Sequence, residues 1–279
     1  MRLLSCCLAL AALALRLSSL PSYAADSLTL ATTTSTHDSG LLDVLLPPFE
    51  KHYDLKVKVL AVGTGQALEL GRRGDADVLL VHAPDQEADF VEEGHGIERR
   101  PFMYNDFVIV GPTADPAHIR GLRSAADAFR CIASCESSFA SRGDESGTHS
   151  REKLLWREVK LEPSGDWYLS CGAGMAATLR IASEKQAYTL TDRSTYLAWE
   201  SKLDLGLLVE GDPLLRNIYS VIVVSPETHP GTNVAMARKF ADYLFADEAR
   251  SIIAGFGKEK FGQPLFHLLP RPTLDAPAG

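Results

Sequence analysis

Hydrophobic and polar positions alternate in SLTLATTTST, Ser27 to Thr36, and then the rhythm changes. Alternation at every second residue predicts a strand. Leu41, Leu42, Leu45, Leu46 and Phe49 recur at helical spacing, with hydroxyl and Asp capping residues before them. LKVKVLAV, Leu55 to Val62, alternates again. GTGQALELGRRGDA predicts a glycine turn running into a short helix, and DVLLVHAP a strand buried on both faces. Strand, helix, strand, helix, strand in that order predicts a parallel α/β sheet.

The second half repeats the plan. FVIVGP, Phe107 to Pro112, predicts a strand and SAADAFRCIASCESS a helix. FASRGDESGTH predicts a short strand, a loop and the start of a helix that continues through SREKLLWREV. WYLSCGAGMAATLRIASEKQAYTLTDRS then mirrors VKVLAVGTGQALELGRRGDADVLLVHAP: strand, Gly-x-Gly, helix, strand, polar tip. IYSVIVV predicts a strand, and an amphipathic helix pair follows from Asn233. The two like units predict two lobes of the same plan. Lobe I is expected over residues 26–107 and 219–279, Lobe II over 108–218. The chain would cross between them twice through extended segments, which makes a hinge.

The 279 residues are 46% hydrophobic and 23% charged, which suits one large or two medium globular units. The formal net charge of -8 argues against nucleic acid as a partner, and no basic run suggests a membrane surface. The N-terminus predicts export. Arg2 precedes an apolar run, and Ser22 and Ala24 fit cleavage near Ala24. Arg16 interrupts that run, which is short for a spanning helix. Leu3 to Cys6 looks like a lipid-attachment box but precedes the apolar run, so lipid anchoring is the lesser expectation. Loss of the leader removes Cys6 and Cys7 and leaves Cys131, Cys135 and Cys171. That odd count permits one disulfide and one thiol. Zinc would need more Cys or His partners at suitable spacing.

Three strand-to-helix junctions carry candidate chemistry. In SRGDESGTH, Ser146, Gly147 and Thr148 stand where a helix start leaves amide N–H groups unpaired, a setting that attracts anions. Arg142 adds a charged fork, and Asp144 can hold it in place. A capped helix with a surface Arg–Asp pair explains the same residues. In TTTSTHDSG, Thr33 and Ser35 can cap a helix or donate into a cleft. In VGTGQAL, Thr64 lies between Gly63 and Gly65. It is not a dinucleotide fingerprint, because Leu68 stands where the third glycine is needed. Ligands of open α/β sheets sit outside the carboxyl ends of strands. Three such ends, rich in donors and poor in acceptors, suit a fully deprotonated tetrahedral oxyanion. Phosphate keeps a proton at neutral pH and would need an acceptor. Sulfate can be rejected only by cavity size.

TTTSTHDSGLLDVLLPPFEK, AVGTGQALELGRRGDADVLLVHAP, MYNDFVIVGP, SRGDESGTH and LTDRSTY, in that order, resemble the extracytoplasmic tungstate-binding proteins of bacterial ABC transporters. The resemblance implies a two-lobed type II periplasmic binding fold with tungstate held between the lobes. It further implies oxyanion contacts from Thr33, Ser35 and Thr64 in Lobe I and from Arg142, Ser146, Gly147 and Thr148 in Lobe II. Those four also match the pattern of phosphate binders. The choice of tungstate over molybdate rests on the resemblance alone. The implied partner is a membrane permease, the implied compartment the periplasm and the expected state a monomer, with no cofactor, no metal ligand set and no enzymatic activity. A hydrolase using Ser146 or Ser35 with His149 or His82 is the rival class. It lacks the Gly-x-Ser-x-Gly elbow. Asp75 and Asp77 are expected to fix a turn, Trp156, Trp167 and Trp199 to pack, and Arg193 either to reach the cleft or to pair with a carboxylate.

Overall fold

The computed structural model describes residues 27–144 and 146–271. The export segment, its cleavage position at Ala24, Cys6 and Cys7 lie outside the described residues. β1 (Ser27–Thr33) leads through α1 (Thr34–Asp38) into α2 (Leu41–Tyr53), β2 (Lys56–Val62), α3 (Thr64–Arg72), β3 (Val78–Val81) and α4 (Pro84–Glu92). β4 (Gly96–Gly111) is followed by α5 (Ala125–Ser134), β5 (Phe139–Ser141), α6 (Gly147–Glu158), β6 (Tyr168–Ser170), α7 (Met175–Lys185) and β7 (Thr189–Asp192). α8 (Arg193–Trp199), β8 (Gly206–Val209), β9 (Arg216–Val224), α9 (Val234–Tyr243), α10 (Asp247–Gly255), α11 (Lys258–Phe261) and β10 (His267–Leu268) complete the order.

The expected parallel units are present. β1 lies between β2 and β3 and is parallel to both. β5 is parallel to β6 and is tied towards β7 by a parallel bridge from Phe139 to Tyr188. The expectation of a parallel sheet holds for these units and is amended where the two long strands join them. β9 runs antiparallel to β3, and β4 antiparallel to β9. β7 and β8 also pair with β4 in antiparallel fashion. The sheets are therefore mixed, with the orders β2-β1-β3-β9 and β6-β5-β7-β4 repeating one plan. Hydrophobic periodicity reports which faces are buried and carries no strand direction, so it could not show the reversal.

The expected strand FVIVGP is the end of the sixteen-residue β4. Glu98, Arg99 and Arg100 concealed its first half. β4 pairs with β9 up to Asp106, opposite Arg216, and with β7 from Phe107, opposite Asp192. One strand thus serves both sheets. The expected first helix is two: Gly40, at φ +80°, turns the chain between α1 and α2. The apolar stripe of α2 is buried as its spacing predicts, with Leu41, Leu45 and Phe49 fully covered. α4, α8, α11, β8 and β10 were not anticipated.

One core packs Leu28, Leu30, Leu45 and Phe49 against Val221 and Phe240. Another packs Ile109, Phe129, Ile132, Phe139, Leu155 and Trp156 on the far side of the β4 crossing. Trp156 is a packing residue, its ring 4.3 Å from Phe129 and 5.9 Å from Trp167. Lys202 lies over the Trp199 ring. Cys131, Cys135 and Cys171 form no disulfide among the described residues. No helix among those residues is long and apolar enough to cross a membrane.

Candidate functional site

Each junction picked out in the sequence lies at the carboxyl end of a strand. Thr33 closes β1 and caps α1, accepting the Thr36 N–H at 3.2 Å. Its partner in the sheet is Val62, so Thr64, two residues on, opens α3 beside it. Leu80 is paired with Thr32, which carries His82, just past the end of β3, to the same edge. The Thr33 hydroxyl is buried among Thr36 Oγ1 at 2.6 Å, Ser35 Oγ at 3.1 Å and His82 Nε2 at 3.1 Å. Ser35 is exposed, with its Oγ 3.4 Å from the same nitrogen.

His82 is held from behind. Its Nδ1 lies 3.0 Å from Asn217 Oδ1, on β9. Asn217 donates its own amide to Asn105 Oδ1 at 2.9 Å and to the Tyr219 hydroxyl at 3.3 Å. That fixes Oδ1 towards the imidazole, so Nδ1 carries the proton and Nε2 the lone pair. Burial depresses the imidazole pKa to about 4 against a hydrogen bond to Asn217, and the nearby charge of Arg151 adds to the depression. The ring is neutral at neutral pH.

The second group of candidates surrounds the start of α6. Ser146 is the cap, accepting the His149 N–H at 3.4 Å. Gly147 and Thr148 are the first two helical residues, whose amides have no acceptor in their own helix. Arg142 donates from Nε and Nη2 to Asp144 Oδ2 at 3.1 and 2.5 Å, and Asp144 Oδ1 takes the Ser146 N–H at 3.2 Å. Burial would raise the Asp144 carboxyl, but hydrogen bonds from Ser146 and Arg142 override it and hold the group below its ordinary range. Asp144 thus braces both the guanidinium and the helix start. Gly143 permits the turn between them: it has φ +62°, and a Cβ there would lie 2.2 Å from Ser170 Oγ.

The two groups meet. A Cβ built on Gly147 would stand 3.7 Å from His82 Cε1, which is van der Waals distance between the edges of the two sheets. Arg151, one turn along α6 from Gly147, extends the positive face. Its Nη1 donates to the Leu214 carbonyl at 3.0 Å, and its charge is felt by both His82 and Asp85. Hydroxyls, helix-start amides and a braced guanidinium thus stand at the ends of the facing strands. Among the described residues no group of three His, Cys, Asp or Glu could ligate a bare metal ion.

Other expected residues fall elsewhere. Arg193 takes the second of its expected roles and pairs with carboxylates. Its Nε and Nη2 grip Asp106, and Nη2 also reaches Glu210. Asp77 fixes a turn, accepting the Thr29 and Asn233 N–H groups at 2.8 Å, while Asp75 pairs with Arg73 on the surface. His149 is buried beneath the start of α6. A separate groove of about 680 Å³ between α2, α8 and α10 contains none of the seven expected contact residues. Sequence reasoning missed Arg151, although its one-turn spacing from Gly147 was a usable signal. It also missed Asn217 and Asn105, which come to His82 only through strand pairing.

Residues 21–248 match the model of the PBP superfamily domain. The tungstate-binding protein TupA of Peptoclostridium acidaminophilum is 48% identical over 87% of this chain and 86% of its own length. The chain belongs to the TupA family of the PBP superfamily. The solved structure of the TupA tungstate-binding protein from Desulfovibrio alaskensis G20 superposes with a TM-score of 0.84. It is 43% identical over 88% of this chain and 100% of its own. A tungstate ABC transporter structure from Geobacter sulfurreducens gives a TM-score of 0.71 at 48% identity, over 83% of this chain and 99% of its own. Membership in the TupA family bears out the two-lobed type II binding fold expected from the sequence.

Proposed function

We propose that this chain captures tungstate between its two lobes in the periplasm and delivers it to the permease of an ABC transporter. The observation that carries the reading is the approach of Gly147 to His82. It supports a site shared by the Thr33, Ser35 and Thr64 edge and the Arg142, Ser146, Gly147 and Thr148 edge. A ligand favours closure only through contacts made from both lobes at once. The lobes divide where β4 changes partners after Asp106 and where β9 begins opposite it, which makes these strands the hinge. Nanomolar capture requires about -12 kcal/mol. Several charge-assisted donors, each worth about 1.5–3 kcal/mol, are of that order. The relatives' names supply the choice of tungstate over molybdate, sulfate and phosphate.

The protein acts as a monomeric binding component rather than an enzyme. Ser35, His82 and Asn217 do stand in hydroxyl, imidazole and amide order, which is the one feature favouring a hydrolase. An imidazole with a pKa near 4 is a poor base, and Thr33 is nearer to it than Ser35. Competition calorimetry on the mature protein with tungstate, molybdate, sulfate, phosphate and chromate tests the reading. Tungstate is expected to bind tightest, and a preference for phosphate would overturn it.

A further inference from the structure

We infer that His82 is a positioning residue for the oxyanion: its unprotonated Nε2 consumes the Thr33 hydroxyl proton and leaves the Ser35 hydroxyl to donate into the cleft. The inference rests on the binding reading above and concerns how the Lobe I edge is set for it.

Nδ1–H is committed to Asn217, whose amide orientation is in turn set by Asn105 and Tyr219. Nε2 can therefore only accept. Two hydroxyls face it, Thr33 at 3.1 Å and Ser35 at 3.4 Å. An sp² nitrogen has one lone pair, and the nearer hydroxyl takes it. Thr33 Oγ1 then has two lone pairs for three neighbours, the Thr36 N–H at 3.2 Å, the Thr36 hydroxyl at 2.6 Å and the Ser35 hydroxyl at 3.1 Å; the N–H takes one, and we assign the other to the nearer hydroxyl, that of Thr36. No acceptor within this cluster is left for the Ser35 proton. Ser35 is the exposed member of the set, so its hydroxyl points outward as a donor. The same ring abuts Gly147 across the cleft and is anchored on β9 through Asn217, at the hinge. One neutral side chain thereby ties donor direction in Lobe I to the hinge and to the opposing helix start.

The assignment also explains why a lone pair can sit beside an anion site. A bare acceptor would repel a dianion. One already filled by Thr33 does not, and it offers nothing to an anion that carries a proton.

The test is a double-mutant cycle on tungstate affinity with the full mature chain, read by calorimetry. Wild type, His82→Ala, Ser35→Ala and the double variant are compared. His82→Ala and Ser35→Ala are each expected to weaken binding about tenfold, as for loss of one charge-assisted hydrogen bond. The double variant is expected to be no weaker than either single one. His82→Gln, which keeps an acceptor in reach, is expected to recover most of the loss, and this variant also guards against a folding defect. Nitrogen-15 spectra of the wild-type imidazole are expected to show Nδ1 protonated and Nε2 bare between pH 6 and 8 (roughly the range in which a free imidazole loses its proton). Independent, additive losses in the cycle, or a protonated Nε2, would overturn the inference. If wild type itself binds no tungstate, it is the functional reading that fails.

Discussion

Arg193 grips Asp106 through Nε at 2.9 and 3.1 Å and Nη2 at 2.6 Å, at the residue where β4 exchanges β9 for β7. Arg193 opens α8 directly after β7, so the pair fastens the second sheet to the crossing strand. Both side chains are about nine-tenths buried. Removing the guanidinium leaves Asp106 without its partner in a low-dielectric setting. Arg193→Ala is expected to lower stability by about 3–5 kcal/mol. Arg193→Lys should restore only part, because an ammonium cannot match the fork. Urea denaturation measures both, and an unchanged midpoint in the Ala variant would contradict the role.

Among the described residues the Arg142 guanidinium pairs only with Asp144 of its own loop, in contrast to Arg193. Arg142→Ala is expected to weaken tungstate binding about 10- to 100-fold, with stability lowered by about 1 kcal/mol or less. Calorimetry and thermal unfolding on the same preparation separate the two effects. Equal affinity for variant and wild type would remove Arg142 from the site.

Gly147 lies where the α6 start approaches His82. One added methyl would reach only ordinary contact with His82, so Gly147→Ala should be nearly neutral in stability. Gly147→Leu would fill the gap and prop the lobes apart. Small-angle scattering is expected to show contraction on adding tungstate in wild type and none in the Leu variant. The Leu variant's affinity should fall at least about tenfold, the cost of roughly 1.4 kcal/mol. Full contraction in the Leu variant would place the closure contact elsewhere.

His82 gives stability a pH dependence whose sign is fixed. Its folded pKa is depressed from 6.5 to about 4. The unfolded chain therefore binds a proton that the native chain refuses. Nothing is lost above about pH 6.5, and stability falls as pH drops from there towards 4, by about 3 kcal/mol in all. Glu87 and Glu152, raised by burial, act with the opposite sign. They remain in the variant and cancel in the comparison. Urea denaturation from pH 7.5 to 4.5 is expected to show a shallower fall for His82→Gln than for wild type. Parallel curves would mean that His82 titrates normally.

The apolar face of α2, the glycine turns before α3 and α7 and the helix start at Ser146 were all legible in the linear pattern. Each depends on neighbours within a turn or two, where spacing maps directly onto geometry. The brace of Arg142 by Asp144 was legible for the same reason. The direction of β4 and β9 was not, since a buried strand shows the same residues whichever way it runs. Arg193 could be read either as a ligand or as an ion-pair partner. The choice fell to Asp106, 87 positions away, which only the β4–β7 pairing brings within reach. His82 needed Asn217 from 135 positions away to settle which nitrogen holds the proton. Local chemistry was thus determined by the chain alone. Strand direction, the partner of each buried charge and the tautomer facing the cleft were decided by long-range pairing, which closes loops too long to leave a trace in any short stretch of residues.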